Sequence, residues 1–248
     1  MAAGRGVRLY VRRVVDPPAP PVLLLHGLGV SGSVLQPFAR RLLPELAAVA
    51  PDLRGHGRSD TPPHGYLPAD YAADLVELVT SEHLAPLPVI GHSLGALVGM
   101  QLAAARPELV ECLVLLDPPL DPSLRNTEVE AVYTLRHAPA GELETYLLQR
   151  NPGGGDVLAN ALAEQFRQAS DAAFETLLNA RPFVALPVGP RTLLVQADPN
   201  HGGVLGDRAA AVAVSTLGNA SLVKIEDASH AVHASHPAEL ATAIRRFC

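Results

Sequence analysis

A chain of 248 residues with 48% hydrophobic and 18% charged residues can bury a sizeable core and is not disordered; its mean hydropathy is +0.18. The net charge of -6 and the scattered basic residues leave no footprint for nucleic acid, so nucleic-acid binding is excluded. The longest apolar stretch, around Pro88 to Ala105, is broken by His92, Ser93 and Gln101, which argues against a membrane span.

Val7 to Val15 alternates and carries charge, which predicts an edge strand, with a Pro-rich turn at Asp16 to Pro21. Val22 to His26 is a continuous apolar run, the pattern of a strand buried on both faces of a parallel sheet, and ends in His26-Gly27-Leu28-Gly29. Val34 to Leu46 has helical spacing, with Phe38, Leu42, Leu43 and Leu46 on one side. Ala47 to Pro51 reads as a short strand leading into Asp52-Leu-Arg-Gly-His-Gly-Arg-Ser-Asp60. A helix follows from Pro68 to His83.

Pro88 to Gly91 is the next strand, and Leu94 to Arg106 the helix after it, stopped by Pro107. Glu111 to Asp117 is a further buried strand, closed by Pro118-Pro119. From Leu120 to Pro187 the pattern is helical and more polar, with a Gly-rich break at Asn151 to Gly155. Strands resume at Arg191 to Ala197 and Ala220 to Ile225, and a last helix covers Pro237 to Phe247. Alternating strands and helices predict an α/β fold with a doubly wound, mostly parallel sheet. Residues 1–119 and 188–248 are expected to form its core and residues 120–187 a helical cap.

The two cysteines, Cys112 in a core strand and Cys248 at the last position, do not suggest a disulfide framework. Free thiols in a reducing compartment are expected. The start, Met1-Ala-Ala-Gly-Arg, lacks the apolar segment of a signal peptide, so the expected setting is cytoplasmic.

Between strand and helix lies Gly91-His92-Ser93-Leu94-Gly95, a G-x-S-x-G. A serine forced into a tight strand-to-helix turn needs small residues two before and two after it. The turn lifts the hydroxyl from the sheet edge and aims free helix N–H groups at whatever the hydroxyl attacks. Four separated signatures stand in order: His26 to Gly29, Asp52 to Asp60, Gly91 to Gly95, and Ala228-Ser229-His230 ahead of the last helix. In these the chain resembles the α/β-hydrolase superfamily over nearly its whole length, all but the helical insertion.

The resemblance implies a serine hydrolase that needs no cofactor and whose partner is a small-molecule acyl substrate, most plainly a carboxylic ester. A lactone, a thioester, an amide or the carbon–carbon bond of a β-diketone would use the same machinery. A lyase or perhydrolase on this scaffold is a rival, as is a ligand receptor with a vestigial triad. Ser93 is the expected nucleophile. His230 is the expected base, with His233 and His236 as neighbouring candidates. Asp198, directly after the strand that follows the insertion, is the first candidate to orient it; Asp117, at the end of the preceding strand, and Asp207 are the alternatives. The backbone N–H groups of Leu28 and Leu94 are expected to form the oxyanion hole. His26, Asp52, Arg54 and His56 read as loop-bracing residues. No metal site is expected from the ten histidines, and no oligomeric state is read from the pattern.

Overall fold

The computed structural model describes residues 2–4, 6–14, 19–42, 46–121, 127–150, 155–180 and 183–248. The end of the edge strand with the turn at 15–18, the helix end at 43–45 and the Gly-rich break at 151–154 lie outside the described residues.

The sheet is built from β3 (Val11–Val14), β4 (Pro21–Leu25), β5 (Ala47–Pro51), β6 (Leu87–His92), β7 (Val110–Leu116), β8 (Arg191–Gln196) and β9 (Ala220–Lys224). Its spatial order is β3-β5-β4-β6-β7-β8-β9, parallel throughout except that β3 runs antiparallel to β5. β1 (Ala2–Gly4) and β2 (Val7–Leu9) form a separate antiparallel pair. The single edge strand expected over Val7 to Val15 is therefore split at Tyr10. There the chain follows the 52–60 loop: the Tyr10 N–H donates to Ser59 Oγ at 2.9 Å, and its carbonyl accepts from Asp52 N–H at 2.8 Å.

The apolar runs of the central strands are continuous because both faces are covered. Leu23 and Leu25 of β4, Val89 of β6, and Leu113 and Leu115 of β7 share one core with α2 (Pro68–Ser81), α3 (Leu94–Ala105) and α8 (Asp207–Leu217). Their neighbours Val22, Leu24, Ile90, Val114 and Leu116 share the other core with Phe38 of α1 (Gln36–Leu42) and Leu240 and Ile244 of α10 (Pro237–Phe247).

The topology sets where a site can form. From β4 the chain steps outward to β5, then returns past β4 to β6. The loops leaving β4 and β6 thus diverge from adjacent strands and open a crevice at their C-terminal ends. Between β7 and β8 lie α4 (Thr127–Leu135), α5 (Glu142–Arg150), α6 (Gly155–Gln168) and α7 (Asp171–Asn179). They pack a small core of their own, including Leu143, Leu147, Ala163 and Phe174. Leu28, in the loop after β4, packs against both this core and the main one.

Cys112 of β7 and Cys248 are joined in a disulfide, with Cα atoms 6.3 Å apart, which corrects the expectation of free thiols. The physical reason is tertiary. α10 packs over the face of β7 that carries Val114 and Leu116, and this brings the last residue back to the strand. The bond removes the reasoning from free thiols to a reducing compartment. Among the described residues, no helix is long and apolar enough to cross a membrane.

Candidate active site

β6 ends at His92, and α3 begins at Leu94, so Ser93 alone makes the turn. Its backbone sits at φ 53°, ψ -114°, a region a non-glycine residue occupies at a cost of about 1–3 kcal/mol. Several anchors offset that cost. The Ser93 N–H donates to Leu116 O at 3.0 Å, and its carbonyl accepts from Ala96 and Leu97 N–H at 3.0 and 3.2 Å. The fully buried face of α3 then packs on the sheet. The flanking glycines answer to close approach. A Cβ on Gly91 would lie 2.2 Å from Gly95 O, and one on Gly95 would lie 2.3 Å from Leu25 O.

As the first residue of α3, Leu94 has an N–H with no acceptor one turn back in the helix. The Leu28 loop lies beside the elbow: a Cβ on Gly27 would be 3.5 Å from Ser93 Cβ. Two residues on, a Cβ on Gly29 would fall 2.2 Å from the Phe166 ring, so α6 closes directly over this loop. Gln165 of α6 holds the same loop through Ser31, accepting from its N–H at 2.9 Å and from its hydroxyl at 2.8 Å. Gln165, Phe166 and Ser31 carry no pattern visible in the sequence. Their roles come from a helix and a loop that are distant in the chain.

His230 lies in the loop between β9 and α9 (Val232–Ser235). Its Nδ1–H donates to Asp117 Oδ2 at 2.7 Å, since a carboxylate oxygen only accepts. Asp117 is fully buried at the end of β7. The carboxylate also accepts backbone N–H groups from Val204 at 2.8 Å, Ala197 at 3.2 Å and Leu205 at 3.3 Å. Its backbone is held at φ 42°, a strained value for a non-glycine residue.

The His230 ring makes its carboxylate contact with Asp117, where the sequence puts Asp198 first. Asp198 is committed elsewhere, as N-cap of the short helical turn Pro199–His201: Oδ1 accepts from Asn200 N–H at 2.9 Å. Its Oδ2 accepts from His201 Nδ1 at 3.1 Å and from Asp227 N–H at 3.2 Å. The Asn200 N–H, then the His201 and Asp227 bonds, hold the Asp198 carboxyl down at about 2. Both aspartates stand before a proline, Asp117 before Pro118 and Asp198 before Pro199, so the N-cap pattern alone does not separate them. Asp207 opens α8 and accepts from Gln196 at 2.7 Å.

Of the neighbouring histidines, His236 is the residue before Pro237 at the start of α10. His233 is buried on α9, and burial together with His230 lowers it to about 4. His92 is buried between the two, its ring centroid 4.6 Å from that of His230 and 4.8 Å from that of His233. Burial first, then both neighbours, hold it well below the ordinary imidazole range.

His26 accepts from Leu53 N–H at 2.8 Å and donates to Gly27 O at 2.8 Å; burial lowers it to about 4. Asp52 accepts from Gly32 and Arg58 N–H at 2.9 and 3.0 Å, and Arg54 makes a buried two-point pair with Asp74. Among the described residues, Asp198, His201 and Asp227 bring ligand-type atoms within 4.8 Å of one another. Two of these residues are exposed, and the N-cap turn already accounts for their contacts.

A sequence model of the alpha/beta hydrolase family matches residues 22–243. This chain belongs to the alpha/beta hydrolase family. Lipase LipV of Mycobacterium tuberculosis is 30% identical over 257 residues, covering 96% of this chain and 97% of the lipase. The 2-(acetamidomethylene)succinate hydrolase of Mesorhizobium japonicum is 30% identical over 187 residues, covering 72% of this chain and 66% of the relative. Among solved structures, an esterase from Exiguobacterium antarcticum superposes with a TM-score of 0.83 at 18% identity, over 99% of this chain and 97% of its own, a likeness of fold. The chain is thus an enzyme of the alpha/beta hydrolase family, with hydrolases among its relatives.

Proposed function

We propose that this chain hydrolyses carboxylic esters of small acyl compounds through an acyl-Ser93 intermediate. The observation that carries this reading is the Nδ1–H···Oδ2 bond from His230 to buried Asp117, on a chain whose Ser93 occupies the strained elbow. With Nδ1 committed as a donor, Nε2 of His230 is the ring nitrogen able to accept a proton. His230 takes the Ser93 hydroxyl proton as the oxygen attacks the ester carbonyl. The N–H groups of Leu28 and Leu94 hold the developing oxyanion. The protonated imidazole then gives its proton to the departing alcohol. Water attacks the acyl-enzyme with His230 again as base, which releases the acid and frees Ser93. Asp117 keeps the imidazole in the right tautomer and stabilises its charged form.

Helices α4 to α7 act in this proposal as a cap. Phe166 against Gly29 and the mainly apolar cluster around Phe174 form the roof of an aliphatic acyl pocket. The likeness to a lipase over nearly the full length of both chains supports esters over amides as the first substrate class to test.

The test is hydrolysis of p-nitrophenyl esters of graded acyl length by wild-type protein and Ser93→Ala, with fluorophosphonate labelling of both. Wild type should turn over short esters and take the label. Ser93→Ala should lose both while keeping its thermal transition. Residual activity above about one per cent would overturn the nucleophile, because without it only oxyanion binding and proximity remain.

A further inference from the structure

His92, the residue before the nucleophile, has no part in the reaction just proposed, yet it is a buried polar side chain with a specific partner. Its Nε2 lies 2.9 Å from the carbonyl oxygen of His230. A carbonyl only accepts, so the ring proton sits on Nε2 and points at the backbone of the base. The same carbonyl accepts Val232 N–H at 3.0 Å. The His92 ring is wedged. His230 and His233 flank it, and a Cβ on Gly27 would come within 3.1 Å of its Nδ1. One imidazole thus touches the loop after β4, the elbow and the loop that carries His230.

Two restraints act on His230 from opposite ends. Asp117 grips the ring at Nδ1, which leaves rotation and shift of the backbone beneath it. The bond from His92 removes that freedom and ties the base to the residue next to Ser93 in the chain. We propose that His92 is a positioning residue for His230, holding the main chain of the base in register with the nucleophile. This rests on the reading of Ser93 and His230 as nucleophile and base. The size of the effect follows from geometry, since displacement of a catalytic group by about 1 Å can cost about a hundredfold in rate.

Three substitutions separate positioning from packing. His92→Leu fills the space and removes the donor. His92→Asn keeps a polar amide but is too short to reach the carbonyl. His92→Gln carries its amide nitrogen where the ring Nε2 stood. Steady-state p-nitrophenyl acetate hydrolysis is measured with thermal melts and with the low-field proton resonance of the His230 Nδ1–H. His92→Leu and His92→Asn should lower kcat about 10- to 100-fold with KM within about threefold, and broaden or shift that resonance. His92→Gln should recover most of the loss.

The assignment is overturned if His92→Leu or His92→Asn retains more than about half of wild-type kcat. It is equally overturned if His92→Gln is as impaired as His92→Asn while both melt as wild type does. Wild-type protein that takes no fluorophosphonate at Ser93 overturns the underlying reading of the site. Labelled wild type with an unaffected His92→Asn overturns only the role of His92.

Discussion

Two aspartates follow neighbouring strands, Asp117 directly after β7 and Asp198 separated from the end of β8 by Ala197; each is buried and accepts several hydrogen bonds. They do different things because of the chain around them. Asp198 precedes Pro199, so its turn winds into a short helix and the carboxylate satisfies that helix's own N–H groups. Asp117 precedes two prolines and makes no such turn. Its carboxylate is held by N–H groups from the distant segment 197–205: Ala197 and Leu205 bond Oδ1, and Val204 shares Oδ2 with the His230 ring. The Asp198 oxygens are engaged by its own turn and by Asp227, whereas the Asp117 oxygens are engaged by distant segments that include His230.

The sharpest way to break this contrast is to neutralise each carboxylate in turn. Asp117→Asn should lower kcat on the order of 10³- to 10⁴-fold, because the amide no longer selects the tautomer or stabilises the imidazolium. Asp198→Asn should leave kcat within about threefold, since that carboxylate does not reach the base. The reverse ranking in p-nitrophenyl ester kinetics would return the orienting role to Asp198.

The two strands also differ in how they are tied. β7, which carries Asp117, is bonded through Cys112 to Cys248, while β8 has no such bond. The bridge spans a sequence separation of 136, and restricting the unfolded chain over that length is worth at most about 5 kcal/mol. Reduction, or the Cys112→Ser/Cys248→Ser pair, should lower the urea-unfolding free energy by about 3–5 kcal/mol. An unchanged transition under dithiothreitol would remove the bridge from the account of β7.

Acid should act through the buried histidines. His92 and His233 pack on the His230 loop, and His26 and His56 brace the loops nearby; all four are buried. Burial holds His26 and His233 at about 4 and His56 at about 3. Their folded-state values lie below the ordinary value of about 6.5 for the unfolded chain. Stability is therefore complete above pH ~6.5 and declines as pH falls toward ~4, because only the unfolded state takes up these protons. Each such imidazole costs about 2 kcal/mol by pH 5. Thermal melts from pH 8 to pH 5 should show this steep fall in Tm; a flat profile over that range would show that these rings are solvated.

The smallest effect belongs to the Asp198 turn. Asp198→Ala removes an N-cap, with an expected cost of about 1 kcal/mol, or about 2–4 °C in Tm for a chain of this size. Asp117→Ala, which strips a buried carboxylate from three N–H groups and an imidazole, should cost more. Equal shifts would show that the two carboxylates are held equally.

Much was determined by the sequence by itself. Short apolar runs at Val22 to Leu25 and at Cys112 to Leu116, ended by His26-Gly27 and Asp117-Pro118, specify strands covered on both faces. Their length and flanking turn residues suit a strand rather than a buried helix such as α3. Gly91 and Gly95 specify the elbow, because a Cβ at either would strike a backbone carbonyl. These are local rules, and they carry the α/β-hydrolase fold and the turn that presents Ser93.

Only the tertiary structure decided what depends on two distant segments meeting. The disulfide formed because α10 returns its end to β7. The split of the first edge strand at Tyr10 follows from the 52–60 loop lying alongside it. The pairing of His230 with Asp117 arises across 113 residues, where spacing after a strand favoured Asp198. A carboxylate's reach is set by which N–H groups claim its oxygens, and that is a property of the packed loops around the elbow rather than of its place in the chain.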